Sequence, residues 1–310
     1  MYFAVSKPSV ELPTQALMSL QTHAPGGRWL ALLDQAFDHG SPRPLRWPHR
    51  AEPIYRGTDD IEAMSPLLLA LSPDAADALT QEIARLLRHC QGRPMLSFVQ
   101  TTLDMRDLAE AWQDIKWVHT EDGQRFLWRL ADTRVLSSLP NVLQPHNWAR
   151  MCKPLMAWHI VDRVGTLQAL KMPPAVPEPP VGAQPTQPQD PLGAFQINDK
   201  ELALLLDAAQ PDVLINSLFE RIPDVLPTGA DRAKVHAWVR RACDLAAQHG
   251  LDATGDQLAL AATACLTEGR VLDDQALAGV LAGHQPGRGS LADELAELLP
   301  AESDVAHDPC

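Results

Sequence analysis

The first half of the chain alternates short apolar runs with one clear helical pattern. Three runs have the character of buried strands, because each is apolar and bounded by Gly, Pro or polar residues. They are WLALLD (29–34), SPLLLALS (65–72) and PMLSFVQ (94–100). Between the second and third runs, apolar residues from Leu79 to Leu87 recur at helical spacing. This strand, helix, strand order predicts an α/β lobe with a mixed sheet and helices.

A hairpin is predicted further along the same lobe. The segments IKWVHT and RFLWRL flank EDGQ, in which Gly123 follows Asp122. A tight hairpin turn needs a positive φ, which an Asp-Gly pair supplies.

The second half shows only the helical period. Asn198 and Glu201 have the spacing of a capping box, Pro211 suits the first turn of a following helix, and Gly250 suits the end of a long one. Further helices are predicted near 256–267 and 274–281, with a short last one capped at Ser290. Five or six helices predict an all-α lobe.

A proline-rich stretch separates the two halves. Residues 173–191 hold eight of the 27 prolines, which remove amide donors and favour an extended spacer. The predicted domains are therefore an α/β domain at 1–172, a linker at 173–191 and an acidic helical lobe at 192–310.

Charge is distributed unevenly between these parts. The formal net charge is −13, yet residues 1–172 carry 18 Lys and Arg against 18 Asp and Glu. The rest of the chain, with 8 basic and 21 acidic residues, holds the whole excess. Such a balance argues against nucleic acid as a partner.

Two further features concern the compartment. No apolar run approaches the roughly 20 residues of a membrane-spanning helix, and the N-terminus has no secretory signal pattern. Five scattered cysteines without a C-x-x-C motif indicate free thiols. We therefore expect a cytoplasmic protein without membrane contact.

The common sequence motifs of catalytic, phosphate-binding and zinc-binding sites are absent. Neither a Gly-rich phosphate loop nor a G-x-S-x-G elbow nor an H-E-x-x-H helix occurs. No catalytic, cofactor-binding or metal-binding residue is therefore predicted, and no cofactor. An enzyme such as a hydrolase, with an unrecognised site in the α/β lobe, stays an alternative.

One charged constellation stands at the end of the hairpin. Arg129, Asp132 and Arg134 crowd the segment RFLWRLADTRVL. They are either a solvated strand end or an ion-pair network that holds the hairpin against the following helix. Both interpretations are structural.

The order of these segments resembles the domain of unknown function 4123 family. That family has an early strand ending in Leu-Asp, an aromatic residue near a Pro-Leu-Leu strand, and a hairpin close to "dG...lfRfyDpRVL". Asp34 and Tyr55 occupy the first two places. The hairpin matches at Asp122, Gly123, Phe126, Arg129, Asp132, Arg134, Val135 and Leu136. Leu130, Ala131 and Thr133 replace the usual aromatic pair and proline, so the chain is similar to a divergent member.

The resemblance implies a non-enzymatic role. Members of the family are adaptors, or chaperones, of bacterial type VI secretion that bind an effector protein (a toxin) and help to load it onto the VgrG/PAAR spike. The resemblance also implies a structural or partner-binding role for five signature residues, which are Asp34, Tyr55, Arg129, Asp132 and Arg134. We hypothesise that the two lobes grip the effector and that the acidic lobe complements its basic or amphipathic helices. An immunity-type protein that neutralises a toxin is a further alternative.

Overall fold

The structure, a computed structural model, describes residues 2–22, 24–72, 75–174, 193–227, 232–285 and 289–299. It divides into two compact units. One is Lys7–Ala208, and the other combines Met1–Ser6 with Ala209–Cys310. These units differ from the predicted domains in two places, residues 1–6 and residues 193–208. The predicted linker 173–191 lies outside the described residues except for its first two prolines.

The Lys7–Ala208 unit contains both helices and strands. Its strands are β1 (Arg28–Asp34), β2 (Ala51–Pro53), β3 (Pro66–Ala70), β4 (Leu96–Thr101), β5 (Trp117–His119), β6 (Arg125–Leu127), β7 (Ala157–Val161), β8 (Leu167–Ala169) and β9 (Phe195–Gln196). Its helices are α1 (Leu12–Gln21), α2 (Asp59–Ala63), α3 (Ala76–His89), α4 (Met105–Ala111), α5 (Thr133–Leu136), α6 (Leu139–Val142), α7 (Pro145–Cys152) and the start of α8 (Asp199–Arg221). The predicted combination of a sheet region with helices is confirmed.

Six strands form the main sheet, in the order β2-β3-β1-β4-β7-β8, and all its strand pairs are antiparallel. The three predicted strand runs became β1, β3 and β4, which lie side by side. Strand β1 is buried on both faces, since Leu30 and Leu32 join one core cluster while Ala31 and Leu33 join the other. Burial on both faces explains why the sequence shows continuous apolar runs rather than alternation.

Helices cover both faces of this sheet. Apolar residues of α1 and α3, such as Leu20 and Ile83, pack on one face. On the other face, Trp112, Trp148 and Trp158 join a core with the hairpin. The rings of Trp148 and Trp158 stack with centroids 6.1 Å apart.

The predicted hairpin is also present. Strands β5 and β6 pair antiparallel, and Gly123 in the turn has φ +81°. Strand β9 joins β5 in parallel, so a segment from beyond the proline-rich stretch completes this second sheet. The predicted capping box is confirmed, because Asn198 and Glu201 each accept a hydrogen bond from the other's backbone N–H.

The second unit is helical in its described residues. It contains the end of α8, then α9 (Ala233–Gln248), α10 (Thr254–Leu266), α11 (Gln275–Gly283) and α12 (Leu291–Ala296). The prediction that Pro211 begins a separate helix is wrong, because α8 runs through it. A proline inside a helix removes one backbone hydrogen bond, and here the residue is buried.

The N-terminus belongs to this helical unit. Tyr2 and Ala4 are buried in a cluster with apolar residues of α8, α9 and α10. The Tyr2 hydroxyl donates to the Pro227 carbonyl at 3.2 Å, and the Ser6 hydroxyl accepts from the Ala233 N–H at 3.1 Å. The first residues of the chain thus complete the core of its last part.

Helix α8 has 23 residues and is long and apolar enough to cross a membrane by length and composition. Core helices of soluble proteins meet the same criterion, so the finding is weak evidence for a membrane span.

Candidate functional site

Asp34 stands at the end of β1, where the strand gives way to a 3₁₀ turn at Gln35–Asp38. Its Oδ1 atom accepts a hydrogen bond from the Ala36 N–H at 3.1 Å and so caps this turn. The residue is only 1% exposed. A buried carboxylate at this place needs a cationic partner.

Arg129 is that partner. It follows β6, and its Nε and Nη2 atoms donate to Asp34 Oδ2 at 3.1 and 2.7 Å. Burial raises the pKa of the Asp34 carboxyl, and the Arg129 guanidinium opposes that rise. The pair joins the hairpin to the central strand of the main sheet across 95 positions of sequence.

Asp132 and Arg134 form the corner that follows. The Asp132 side chain accepts from the Arg134 N–H at 3.1 Å and so caps α5. The Arg134 guanidinium donates to both oxygens of the same carboxylate, from Nε at 3.0 Å and from Nη2 at 2.7 Å. Arg129 Nη2 lies 3.6 Å from Asp132 Oδ2 and links the two ion pairs.

Tyr55 reaches the network through the backbone. Its ring is buried, and its hydroxyl donates to the Trp128 carbonyl at 2.8 Å, one residue before Arg129. Its own N–H donates to Ser65 Oγ at 2.7 Å. Burial raises the pKa of Tyr55, with the Asp34 carboxylate adding to the rise, so the hydroxyl stays a hydrogen-bond donor.

The structure therefore brings all five signature residues to one place. Four of them share an ion-pair network, and Tyr55 fixes the chain just before it. Of the two interpretations of the hairpin end, the geometry is that of the fixed network, and the hydrogen bonds from Arg129 run to Asp34 of β1 rather than to the following helix.

Sequence reasoning missed Phe37. The Cζ atoms of Arg129 and Arg134 lie 4.8 and 5.6 Å from the centre of its ring. Such cation–π contacts orient both guanidiniums. The available signal was an aromatic residue just after a buried carboxylate, but only the fold brings it to the hairpin.

A second charged cluster adjoins the first and was also missed. Asp38 ends the 3₁₀ turn, and its carboxylate contacts His89 Nε2 and Arg93 Nη1, each at 2.7 Å. Arg93 also donates to the Phe37 carbonyl at 3.3 Å. The two clusters together hold the turn at both ends. Because 51 and 55 positions separate Asp38 from these two partners, no local sequence pattern indicates the contacts.

The arrangement acts as a scaffold. Guanidiniums and backbone N–H groups engage the carboxylates of Asp34 and Asp132, so the ion pairs fix the hairpin against the sheet. Throughout the described part of the chain, no group of three or more His, Cys, Asp or Glu is placed to hold a metal ion. Cys90, Cys152, Cys243 and Cys265 are free thiols, as expected, while Cys310 lies outside that part.

Comparison with known proteins gives one match. The family model described as Domain of unknown function (DUF4123) matches residues 29–150. No curated protein and no solved structure matches the chain. The matched segment runs from β1 into α7 and contains all five signature residues.

The family match and the ion-pair network lie in the same part of the chain. Residues 29–150 of this chain match the DUF4123 family, which is associated with effector adaptors of type VI secretion.

Proposed function

We propose that this protein is a non-enzymatic, cytoplasmic adaptor that binds a type VI secretion effector and helps to load it onto the VgrG/PAAR spike. The observation that carries the proposal is the family match over residues 29–150, within which the signature residues converge. The ion-pair network that fixes the hairpin against the sheet is consistent with a frame that presents a binding surface.

The carboxylates of the network are already occupied by hydrogen bonds within it, which supports a structural role for the network. Asp132 accepts two hydrogen bonds from Arg134, and Asp34 accepts two from Arg129. A general acid or base needs a carboxylate that can reach a substrate, whereas these carboxylates are almost fully buried. We infer that the five signature residues hold the hairpin in place for partner binding.

The acidic helical part is the proposed effector-binding region. Beyond residue 172 the chain has 21 acidic and 8 basic residues. The exposed acidic side chains of this region include Asp224, Asp252, Glu268 and Glu297. A surface of one sign steers an oppositely charged partner toward it, so we infer an effector segment that is basic or amphipathic.

A charge-neutralised variant of the full chain tests this assignment. The chain is co-expressed with the effector encoded beside its gene, and the affinity of the purified complex is measured at low and high salt. Asp224→Asn/Asp252→Asn/Glu268→Gln/Glu297→Gln should weaken binding by about tenfold or more at low salt, because it removes the steering charge.

The matched control changes the same number of exposed acidic residues in the other unit. These are Glu11→Gln, Asp60→Asn, Asp77→Asn and Glu121→Gln. The control should bind like the wild type. Equal binding by both variants, or binding that does not respond to salt, would remove the acidic lobe from the proposal.

A further inference from the structure

Residues 39–50 form a strap that lies along α3. The strap, HGSPRPLRWPHR, contains neither helix nor strand. The Leu45 N–H donates to Asp38, which in turn contacts His89. The Arg46 carbonyl accepts from the Arg85 guanidinium. His49 Nε2 lies 2.7 Å from Glu82 Oε1.

These contacts set the direction of the strap. Arg46 contacts Arg85 and His49 contacts Glu82, so the strap runs back along one face of α3. Leu45 is linked to His89 of the same helix through Asp38. On its other side, the Trp47 indole N–H donates to the Ala70 carbonyl of β3 at 2.9 Å. Three prolines, at 42, 44 and 48, restrict its backbone. The strap is therefore a preorganised surface.

The acidic groups that contact the strap are buried and already have partners. Asp38 is buried and contacts His89 and Arg93. Glu82 is buried, contacts His49, and accepts from the Ser72 N–H at 2.9 Å. Neither carboxylate is open to a partner.

The basic groups have the opposite environment. Arg43, Arg46, Arg85 and Arg88 are all exposed, and none of them has an ion pair within the described ranges. Arg85 uses one donor on the strap itself, and Arg88 lies one turn further along α3. An overall acidic chain thus carries one surface of exposed guanidiniums.

The geometry points to a docking surface for an acidic segment of a partner protein, formed by Arg43, Arg46, Arg85 and Arg88. Guanidiniums bind carboxylates through paired hydrogen bonds, which suits a row of Asp or Glu side chains. This surface is opposite in charge to the proposed effector-binding region, so a second partner, or a second segment of the same one, fits it. The inference does not rest on the adaptor proposal.

Other polyanions fit this surface less well. A long nucleic acid would extend beyond the strap, and its phosphates would be repelled by a chain of net charge −13. The one tryptophan of the strap is partly buried and its N–H is occupied, so it offers no stacking platform. An anionic membrane usually engages apolar residues as well, and no large exposed apolar residue lies in the strap or on α3.

The test uses the full chain and a fluorescent oligo-glutamate peptide, with fluorescence anisotropy as the readout. The wild type should bind the peptide, with an affinity that falls as salt rises. Arg43→Glu/Arg88→Glu should weaken binding by at least about tenfold, because it reverses two of the four charges. These two side chains make no polar contact within the described residues, so the fold should persist.

The control is Arg28→Glu/Arg106→Glu, which makes the same change of charge at two other exposed arginines of the same unit. It should retain most of the wild-type affinity. A milder variant, Arg43→Gln/Arg88→Gln, should give an intermediate loss and serves if the reversal disturbs folding.

Three outcomes would overturn the inference. One is equal loss of binding in the strap variant and in the control. Another is tighter binding of a single-stranded DNA oligonucleotide or of phosphatidylglycerol vesicles than of the peptide. The third is self-association of the wild type at low salt that the strap variant abolishes, which would assign the surface to a second copy of the chain.

Discussion

Replacing Arg129 by glutamine should destabilise the Lys7–Ala208 unit through its buried partner. The substitution keeps part of the side-chain stem and removes the two hydrogen bonds that Asp34 receives, at 2.7 and 3.1 Å. Asp34 then keeps its bond from Ala36 but loses its countercharge. A buried carboxylate without a cation is the source of the expected loss.

The size of the expected loss in stability follows from how exposed the side chains of Asp34 and Arg129 are. Removing one partner of a buried ion pair costs about 3–5 kcal/mol. The Arg129 side chain is 36% exposed, so solvent already screens part of the pair, and we expect about 2–3 kcal/mol. For a unit of this size the melting temperature should fall by about 5–10 °C.

The loss should also depend on pH. Burial already raises the pKa of Asp34, and removing Arg129 takes away the group that opposes the rise. A carboxyl whose pKa is raised in the folded state binds its proton more tightly there than in the unfolded chain. Stability therefore falls as pH rises through the folded pKa, and the variant should lose more at neutral than at acidic pH.

Tryptophan fluorescence during urea unfolding reports on this unit, because every tryptophan except Trp238 lies within it. Arg125→Gln is the matched control, since this arginine is exposed on the same hairpin. Its guanidinium lies 4.2 Å from the centre of the Trp117 ring, an exposed cation–π contact, so the control should change the unfolding free energy by no more than about 1 kcal/mol.

A double-mutant cycle with Asp34→Asn isolates the pair. Because the second change removes the buried charge, Asp34→Asn/Arg129→Gln should lose less than the sum of the single variants, with a coupling of about 1.5–3 kcal/mol. The reasoning fails if the losses are additive, or if Arg129→Gln behaves like the Arg125 control.

Three further predictions concern other parts of the chain. Gly269→Ala should destabilise the helical unit by more than about 2 kcal/mol, since φ is +80° and the new Cβ would clash with the Trp238 ring. Gly255→Ala, which adds a Cβ in open space, should be neutral or stabilising in thermal melts. Tyr2→Ala should lower the free energy of unfolding by about 3 kcal/mol, because it empties a core position. Tyr2→Phe should lower it by less than about 1 kcal/mol, and unfolding followed by circular dichroism measures both. Burial raises the pKa of Cys152 to about 12, so at about pH 8 peptide mass mapping should show iodoacetamide labelling about a thousandfold slower in the folded than in the unfolded chain.

Local patterns predicted much of the fold. The apolar runs became β1, β3 and β4, the Asp-Gly turn became a hairpin, and Asn198 with Glu201 became a capping box. Each of these signals depends on neighbouring residues. The Pro211 prediction failed because a buried position in a long helix can outweigh one lost hydrogen bond.

Contacts between distant segments could not be predicted in this way. Strand β9 pairs with β5 across the proline-rich stretch, and Tyr2 packs on α8 and α9. Neither segment has a periodicity of its own, since each is short and completes a surface made elsewhere. Only the assembled fold shows where they go.

The signature residues illustrate the same division. Asp132 with Arg134 was readable as a local ion pair, because two positions separate them. The bond from Arg129 to Asp34 was not, since no local rule links a strand end to a hairpin 95 positions later. The family resemblance named all these residues without giving their partners.

Deletion of the gene in the bacterium that encodes it tests the adaptor role most directly. Delivery of each type VI effector and release of the spike are measured together, with and without the full chain supplied in trans. The proposed function predicts that one effector is lost from delivery, that other effectors and the apparatus still work, and that the full chain restores the loss. Unchanged delivery of every effector would contradict it.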